Sequence, residues 1–301
     1  MTMDRILLTG ANGQLGKTFN LHFGNSHLSE KYLLLAFNRD ELDLTKKEST
    51  MRLLSLHKPS VIVNCGAYTA VDKAETESER ARQINDQAVR HISSWASENN
   101  CRIIHISTDF VFDGAAKKPY SPDDLTCPIG VYGKTKLAGE RHILKLLANS
   151  GVIIRTSWLY SEFRQNFVVT MIRLMEEKPD LGIVNDQIGS PTSAHSLARV
   201  LLKAIEQQSI CGILHWCDGA TISWYDFALE IQKVALACGL LKKKIPIKPL
   251  VTADYPMIAA RPPYSVLDRT LTLEWLGMIT TDWRTELEEV IEQIKKKSEV
   301  S

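Results

Sequence analysis

The sequence predicts an α/β protein built on a doubly wound parallel sheet, and three observations carry that prediction. Short apolar runs rich in β-branched residues alternate with longer stretches of helical periodicity, the runs are apolar throughout rather than on one face, and a glycine turn directly follows the first of them. The runs at 5–8, 32–37, 60–64, 102–107 and 152–156 are the strands, and the patterns at 14–23, 46–57, 79–99 and 132–149 are the helices between them. A strand without a polar face is covered on both sides, so the helices go to both faces of the sheet through right-handed crossovers. This is the doubly wound, or Rossmann, arrangement.

After Thr156 the alternation loosens. Helices at 165–176, 194–207 and 223–238 are separated by polar turns and by a stretch holding Pro246, Pro249, Pro256, Pro262 and Pro263. Two further apolar runs, 182–184 and 212–216, read as the last strands of the sheet. The expected division is a Rossmann domain of residues 1–156 with 194–217 interleaved, and a smaller substrate-binding region of residues 157–193 and 218–301. The closing Lys295-Lys296-Lys297 is read as a solvated helix end, where cations suit the dipole.

A hydrophobic content of 44% over 301 residues suffices for a full core. Basic residues (36) and acidic residues (35) leave a net charge of +1, too little for the stripe that binding a phosphate backbone requires, so nucleic acid is not an expected partner. No apolar run reaches the length of a membrane span, and the first strand follows Met1 too closely for a signal peptide; a cytoplasmic protein with no membrane partner is expected. The six cysteines lack Cys-x-x-Cys spacing and read as reduced thiols, and the eight histidines show no metal-ligand spacing, so no metal is expected.

Ile6-Leu7-Leu8 leads into Gly10-Ala11-Asn12-Gly13-Gln14-Leu15-Gly16. Glycines placed after a strand and at the opening of a helix let backbone amides approach a pyrophosphate while the helix amino end faces its charge. Gly10, Asn12, Gly13, Gln14, Leu15 and Gly16 are thus expected to hold a dinucleotide. The second strand ends near Phe37-Asn38-Arg39-Asp40, where an acidic side chain would hold the ribose hydroxyls of NAD. Asn38 takes that place and Arg39 follows, and a guanidinium suits a 2′-phosphate, so NADP(H) is favoured. NAD(H) is the alternative, because Asp40 lies two residues past Asn38.

The fourth strand ends in Ile106-Ser107-Thr108-Asp109-Phe110, at the carboxyl edge where ligands of such sheets bind. A hydroxyl of Ser107 or Thr108 there could hydrogen-bond a substrate carbonyl or cap a turn. Downstream, in Val131-Tyr132-Gly133-Lys134-Thr135-Lys136, Tyr132 and Lys136 stand four residues apart on one helical face. An ammonium so placed can stabilise a phenolate and lower a pKa that is ordinarily about 10. A tyrosine tuned this way can give a proton to a carbonyl oxygen near neutral pH, which points to hydride chemistry on a ketone.

These motifs are joined by more specific ones: Asn64-Cys65-Gly66-Ala67-Tyr68-Thr69-Ala70-Val71-Asp72-Lys73-Ala74-Glu75, the continuation Val111-Phe112-Asp113-Gly114, Leu137-Ala138-Gly139-Glu140, Arg155-Thr156-Ser157-Trp158-Leu159-Tyr160, Asn166-Phe167, Asn185-Asp186-Gln187-Ile188-Gly189-Ser190-Pro191-Thr192 and Arg261-Pro262. Over nearly its whole length the chain resembles the extended short-chain dehydrogenase/reductase superfamily and, within it, the dTDP-4-dehydrorhamnose reductase family. The resemblance implies reduction of the 4-keto group of dTDP-4-dehydro-β-L-rhamnose by NAD(P)H, giving dTDP-L-rhamnose for cell-surface polysaccharide. It implies that Tyr132 protonates the C4 oxygen, that Lys136 holds the nicotinamide ribose and depresses the tyrosine pKa, and that Thr108 orients the carbonyl. Asp109, Trp158, Asn166 and Arg261 would line the sugar-nucleotide pocket, with Arg261 on the diphosphate. Asp43, Leu44, Ala67, Tyr68 and Thr69 would border the cofactor.

Two departures from the family pattern follow. Some members bridge a dimer through magnesium held by glutamates, one of them two residues past the third glycine, where this chain has Thr18; the expectation is a monomer or a homodimer without metal. The Asn38-Arg39 pair also departs from strict NAD recognition. Competing readings share the fold: a sugar-nucleotide 4,6-dehydratase would need an Asp-Glu pair after the threonine, and here Phe110 follows Asp109. A sister reductase of different C4 stereochemistry has no linear motif to exclude it. A non-catalytic subunit similar to the β subunit of methionine adenosyltransferase would not need Thr108, Tyr132 and Lys136 together, and all three are present.

Overall fold

The structure is a computed structural model that describes residues 3–280 and 282–300. Its central sheet consists of β1 (Asp4–Thr9), β2 (Tyr32–Phe37), β3 (Val61–Asn64), β4 (Arg102–Thr108), β5 (Val152–Thr156) and, beyond β6 (Leu181–Val184), β7 (Gly212–Trp216). The strands run parallel in the order β7-β5-β4-β3-β1-β2, with Leu8 between Ala36 on one side and Val63 on the other. The chain leaves β1 outward to β2 and returns past it to β3. The strand order therefore reverses between β1 and β3, and a doubly wound sheet opens a ligand crevice at the carboxyl ends of such a pair.

Period-two alternation explains the two covered faces. Ile6, Leu8, Val61, Val63, Ile104, Val152 and Ile154 join one core cluster with Phe19 of α1 (Gln14–Gly24) and Leu197 and Leu201 of α8 (Ala194–Glu206). Leu7, Ile62, Ile103 and Ile153 point the other way, against Leu54 of α2 (Lys47–His57), Ile92 of α5 (Ala88–Glu98) and Ile143 of α6 (Val131–Leu146). Each central strand thus fills both layers, which is why its sequence has no polar face.

Two sequence expectations need correction. The run at 182–184 does not extend the sheet: β6 pairs in parallel with β8 (Ile247–Leu250) as a separate ribbon, where Gly182 leaves room for the Leu250 side chain that a Cβ would meet at 2.7 Å. That ribbon belongs to a second core, formed with α7 (Phe167–Glu177), α9 (Trp224–Ala237) and α10 (Trp283–Val300) around Met171, Phe227, Trp283 and Leu287. The run at 212–216 does enter the sheet, beside β5. The closing lysines are also not simply solvated, since Lys295 donates to the carbonyl of Cys238 past the end of α9 at 2.8 Å and Lys297 stands 3.4 Å over the Phe163 ring.

The helix expected at 79–99 is a composite. After α3 (Val71–Ala74), α4 (Ser78–Arg82) passes through a π-helical turn (Gln83–Gln87) into α5. The wide turn presents Asn85, whose side-chain amide accepts from the backbone N–H of Tyr68 at 2.9 Å and donates to its carbonyl at 3.0 Å and to Thr135 Oγ1 at 3.2 Å. It thereby ties the loop after β3 to α6. Among the described residues no helix is long and apolar enough to cross a membrane.

Candidate active site

The carboxyl edge of β1 is built for close approach. Gly10 has φ +68°, and a Cβ there would stand 2.9 Å from the backbone of Cys65 and Gly66 after β3; a Cβ on Gly16 would stand 2.3 Å from the Gly10 carbonyl. Gly13 caps α1 without a side-chain hydrogen bond, and no acidic residue lies in the first turn, so its amides are left for an anion. A cavity of about 510 Å³ opens beside this turn, lined by Gly10, Asn12, Gly13, Asp43, Leu44, Ala67, Tyr68 and Thr69, with exposed Arg39 also on its wall. A cradle that only glycine leaves open and a row of uncapped amides fit the pyrophosphate of a dinucleotide.

Asn38 departs from expectation. Its side-chain oxygen accepts from Asp40 N at 2.8 Å and Glu41 N at 3.3 Å, closing an Asx turn, and the residue lines a neighbouring cleft with Ala36 and Glu41 instead of the cofactor cavity. Its side-chain oxygen is committed to its own loop.

A second cavity of about 580 Å³ adjoins the first through Gly13, Ala67 and Thr69, and it collects Gln14, Leu15, Gly16, Thr108, Asp109, Tyr132, Lys136, Trp158, Asn166 and Arg261. Thr108 and Asp109 arrive at the end of β4, Tyr132 and Lys136 in the first turns of α6, and the other three from the segments after β5. Thr108 donates to Asp109 Oδ1 at 3.0 Å, and its hydroxyl accepts from Phe110 N at 3.2 Å. The Phe110 ring meets Tyr132 edge-on with centroids 5.5 Å apart. Gly133 is required here because a Cβ would fall 2.1 Å from the Phe110 carbonyl.

The electrostatics differ from the sequence expectation in one respect. Burial pushes the Tyr132 phenol up to about 12; the Thr108 hydroxyl acts against this shift, and the Asp109 charge adds to it. Lys136 is not among the groups that act on the phenol here; its Nζ donates to the Ile106 carbonyl at 2.6 Å and lies 3.3 Å from His105 Nε2. Same-face spacing on α6 brings the two residues to one cavity but does not decide where a four-carbon side chain ends. Burial also draws the Lys136 ammonium down to about 8 and raises the Asp109 carboxyl to about 6.

The side chains expected around the sugar nucleotide are present but engaged. Trp158, with φ +48°, stacks on Trp224 of α9 at 3.6 Å. Asn166 caps α7 by accepting from Val169 N at 3.1 Å, and its Nδ2 donates to Gln14 Oε1 at 3.0 Å and to Ser161 O at 2.7 Å. It locks α7 to the glycine turn rather than projecting free. Arg261 lines the cavity with its guanidinium in a two-pronged pair with Asp72, at 2.7 and 3.1 Å.

Sequence reasoning missed several residues. Trp224 and Arg164 line the second cavity, and the Arg164 Nε donates to the carbonyl of Asn12 at 2.8 Å. Of the residues the sequence did point to, Ser107 and Asp109 lie on the wall of the same cavity, and among the described residues Ser107 Oγ and Asp109 Oδ2 are buried without a hydrogen-bond partner. Trp224 carried one signal, its place right after the Ser223 cap of a helix; Arg164 carried none, since an arginine in a polar turn looks solvated.

Comparison with known proteins agrees with this geometry. The family model described as "RmlD substrate binding domain" matches residues 3–296. A dTDP-4-dehydrorhamnose reductase of Aggregatibacter actinomycetemcomitans is 40% identical over 96% of this chain and 98% of its own length. The crystal structure of a dTDP-4-dehydrorhamnose reductase from Clostridium acetobutylicum superposes with a TM-score of 0.89 at 37% identity, covering 97% of this chain and 99% of that one. The Bacillus anthracis dTDP-4-dehydrorhamnose reductase, solved in complex with NADP, also reaches 0.89 at 34% identity over 97% and 100% of the two chains. The chain belongs to the dTDP-4-dehydrorhamnose reductase family.

Proposed function

We propose that the chain reduces the 4-keto group of dTDP-4-dehydro-β-L-rhamnose to give dTDP-L-rhamnose, using NADPH in preference to NADH. The observation that carries the reading is the meeting of Thr108, Tyr132 and Lys136 on a cavity shared with the glycine turn. The Bacillus anthracis relative solved with NADP supports the cofactor. When bound, NADPH supplies the hydride. The glycine turn and the first amides of α1 would hold its pyrophosphate, Arg39 its 2′-phosphate, and Ala67, Tyr68 and Thr69 its far side. Thr108 orients the ketone oxygen, and Tyr132, held as a phenol by burial, gives that oxygen its proton as the C4–H bond forms. Trp158 and Trp224 offer a flat apolar wall to the nucleotide, and Arg261 exchanges Asp72 for the diphosphate.

The two regions, 1–156 with 194–217 and the rest, divide the work on this reading: the first binds cofactor and the second the sugar nucleotide. The test is oxidation of NADPH and NADH by the purified chain with dTDP-4-dehydro-L-rhamnose, with the product sugar identified by NMR. Turnover to dTDP-L-rhamnose is expected. A talose-type product moves the assignment to another stereochemistry, and absence of oxidation by a chain that binds NADPH rejects the enzymatic reading.

A further inference from the structure

Gly13, Cys65, Ala67, Thr69 and Arg164 line both cavities, and Arg164 is the charged one among them. A dinucleotide with its adenosine half beside Arg39 and its nicotinamide half beside Tyr132 has to pass its pyrophosphate across this seam, so negative charge comes to rest where these residues meet. The other cations of the second cavity are committed, Lys136 to the Ile106 carbonyl and Arg261 to Asp72.

Arg164 reaches the seam from the turn at 161–166 that leads into α7, not from a loop at the edge of the central sheet. That turn is pinned to the glycine turn. Ser161 Oγ and Asn166 Nδ2 donate to Gln14 Oε1 at 3.1 and 3.0 Å, and Arg164 Nε donates to the Asn12 carbonyl at 2.8 Å. The Phe163 ring adds a further hold, with Lys17 of α1 at 5.5 Å and Lys297 at 3.4 Å from its centroid. Arg164 itself has φ +60°, a left-handed backbone that residues with side chains rarely adopt and that persists where the surroundings fix it.

The charge is not cancelled by its neighbour, because Glu162 commits its carboxylate to His195 Nε2 at 3.0 Å and to Lys297 Nζ at 3.7 Å. The contact with Asn12 uses Nε, and among the described residues the two terminal nitrogens of Arg164 have no hydrogen-bond partner. A guanidinium held by its Nε offers its remaining donors as a planar fork, the shape that takes two phosphate oxygens at once.

We propose that Arg164 is a pyrophosphate ligand of the cofactor: Nε stays on the Asn12 carbonyl, and the terminal nitrogens bind the pyrophosphate jointly with the uncapped amides of α1. The role is an exception to the division of work above, since a residue of the second region completes the cofactor site of the first. Arg39 and Arg164 then serve different phosphates, the first separating NADPH from NADH and the second acting on both. The inference rests on the dinucleotide reading of the glycine turn and is independent of the ketone reduction.

The test is calorimetric titration of the purified full chain with NADPH and with NADH. Arg164→Gln is expected to weaken both by the same factor, about tenfold at low salt. The gap to the parent should close as salt is raised to about 0.5 M, because an exposed charge contact is screened. Arg164→Lys, which keeps the charge and loses the fork, should recover part of the affinity. The Tm of the cofactor-free variants should stay within about 2 °C of the parent. Unchanged Kd values in Arg164→Gln overturn the proposal. So does a loss confined to NADPH, which would assign Arg164 to the 2′-phosphate, or a loss that persists at high salt with lowered Tm, which would make it a brace for the glycine turn. If the parent binds neither cofactor, the dinucleotide reading fails and the proposal falls with it.

Discussion

The two cavities meet along Gly13, Ala67 and Thr69 yet are assembled in different ways. The cofactor cavity is made mainly by consecutive loops at the carboxyl ends of β1, β2 and β3, with Arg80, Ile84 and Arg164 added from farther along the chain. The second cavity takes its floor from β4 and α6 but its far wall from Trp158, Asn166, Trp224 and Arg261, which reach it from three separate segments after β5. The difference teaches that one wall is set by local geometry and the other by the packing of a second core around Phe227 and Trp283. Substitutions on the first wall should alter cofactor handling alone, and those on the second should alter sugar handling alone.

The largest expected effect lies where the walls meet. Tyr132→Phe removes the hydroxyl proposed as the proton donor and almost no volume, so kcat should fall by about 10²–10⁴-fold while NADPH binding is unchanged. Turnover within about twofold of the parent in a stopped assay would remove Tyr132 as the acid.

Asp109 comes next, and its effect is on stability. Its carboxyl is raised by burial from an ordinary value near 4 to about 6 in the folded protein, so the fold stabilises the protonated form. That contribution is complete below the unfolded value and is lost as the pH climbs through about 6. Asp109→Asn should flatten the dependence of stability on pH between about 4 and 6 and should raise stability at pH 7 by about 1–3 kcal/mol, measured by urea unfolding. A parallel pH profile in parent and variant would place the titrating group elsewhere.

Trp224→Ala tests the far wall. Losing its stack on Trp158 should raise the KM for the sugar nucleotide about tenfold and leave the Kd for NADPH unchanged. A matching loss of NADPH affinity would mean that the two walls are not separable.

The same contrast explains what could be read without coordinates. The glycine turn, the end of β4 and the Tyr132–Lys136 pair are legible because a strand, a turn and a helix start fix their side chains within a few residues. The fate of Asn38 was not, since its amide had two uses, ribose contact and Asx turn, and only the backbone at Asp40 and Glu41 selects between them. Run 182–184 looked like a sheet strand because apolar character does not name its partner; the partner, Ile247–Leu250, lies in a proline-rich stretch. The direction of the Lys136 side chain depends on the Ile106 carbonyl and on His105, 30 and 31 residues away on another element.

Arg39 gives the smallest and most discriminating effect. It stands on the cofactor wall, exposed, with Arg80 of α4 on the same wall, so the gain proposed for it from a 2′-phosphate would be screened by water and shared with another cation. Arg39→Ala should therefore weaken NADPH only about fivefold, measured as Kd by titration at low salt, and leave NADH and the sugar KM as they were. Equal weakening of both cofactors would assign Arg39 to the shape of the loop after β2 rather than to the phosphate. A change in sugar KM alone would place its influence across the seam at Gly13, where the two cavities exchange lining.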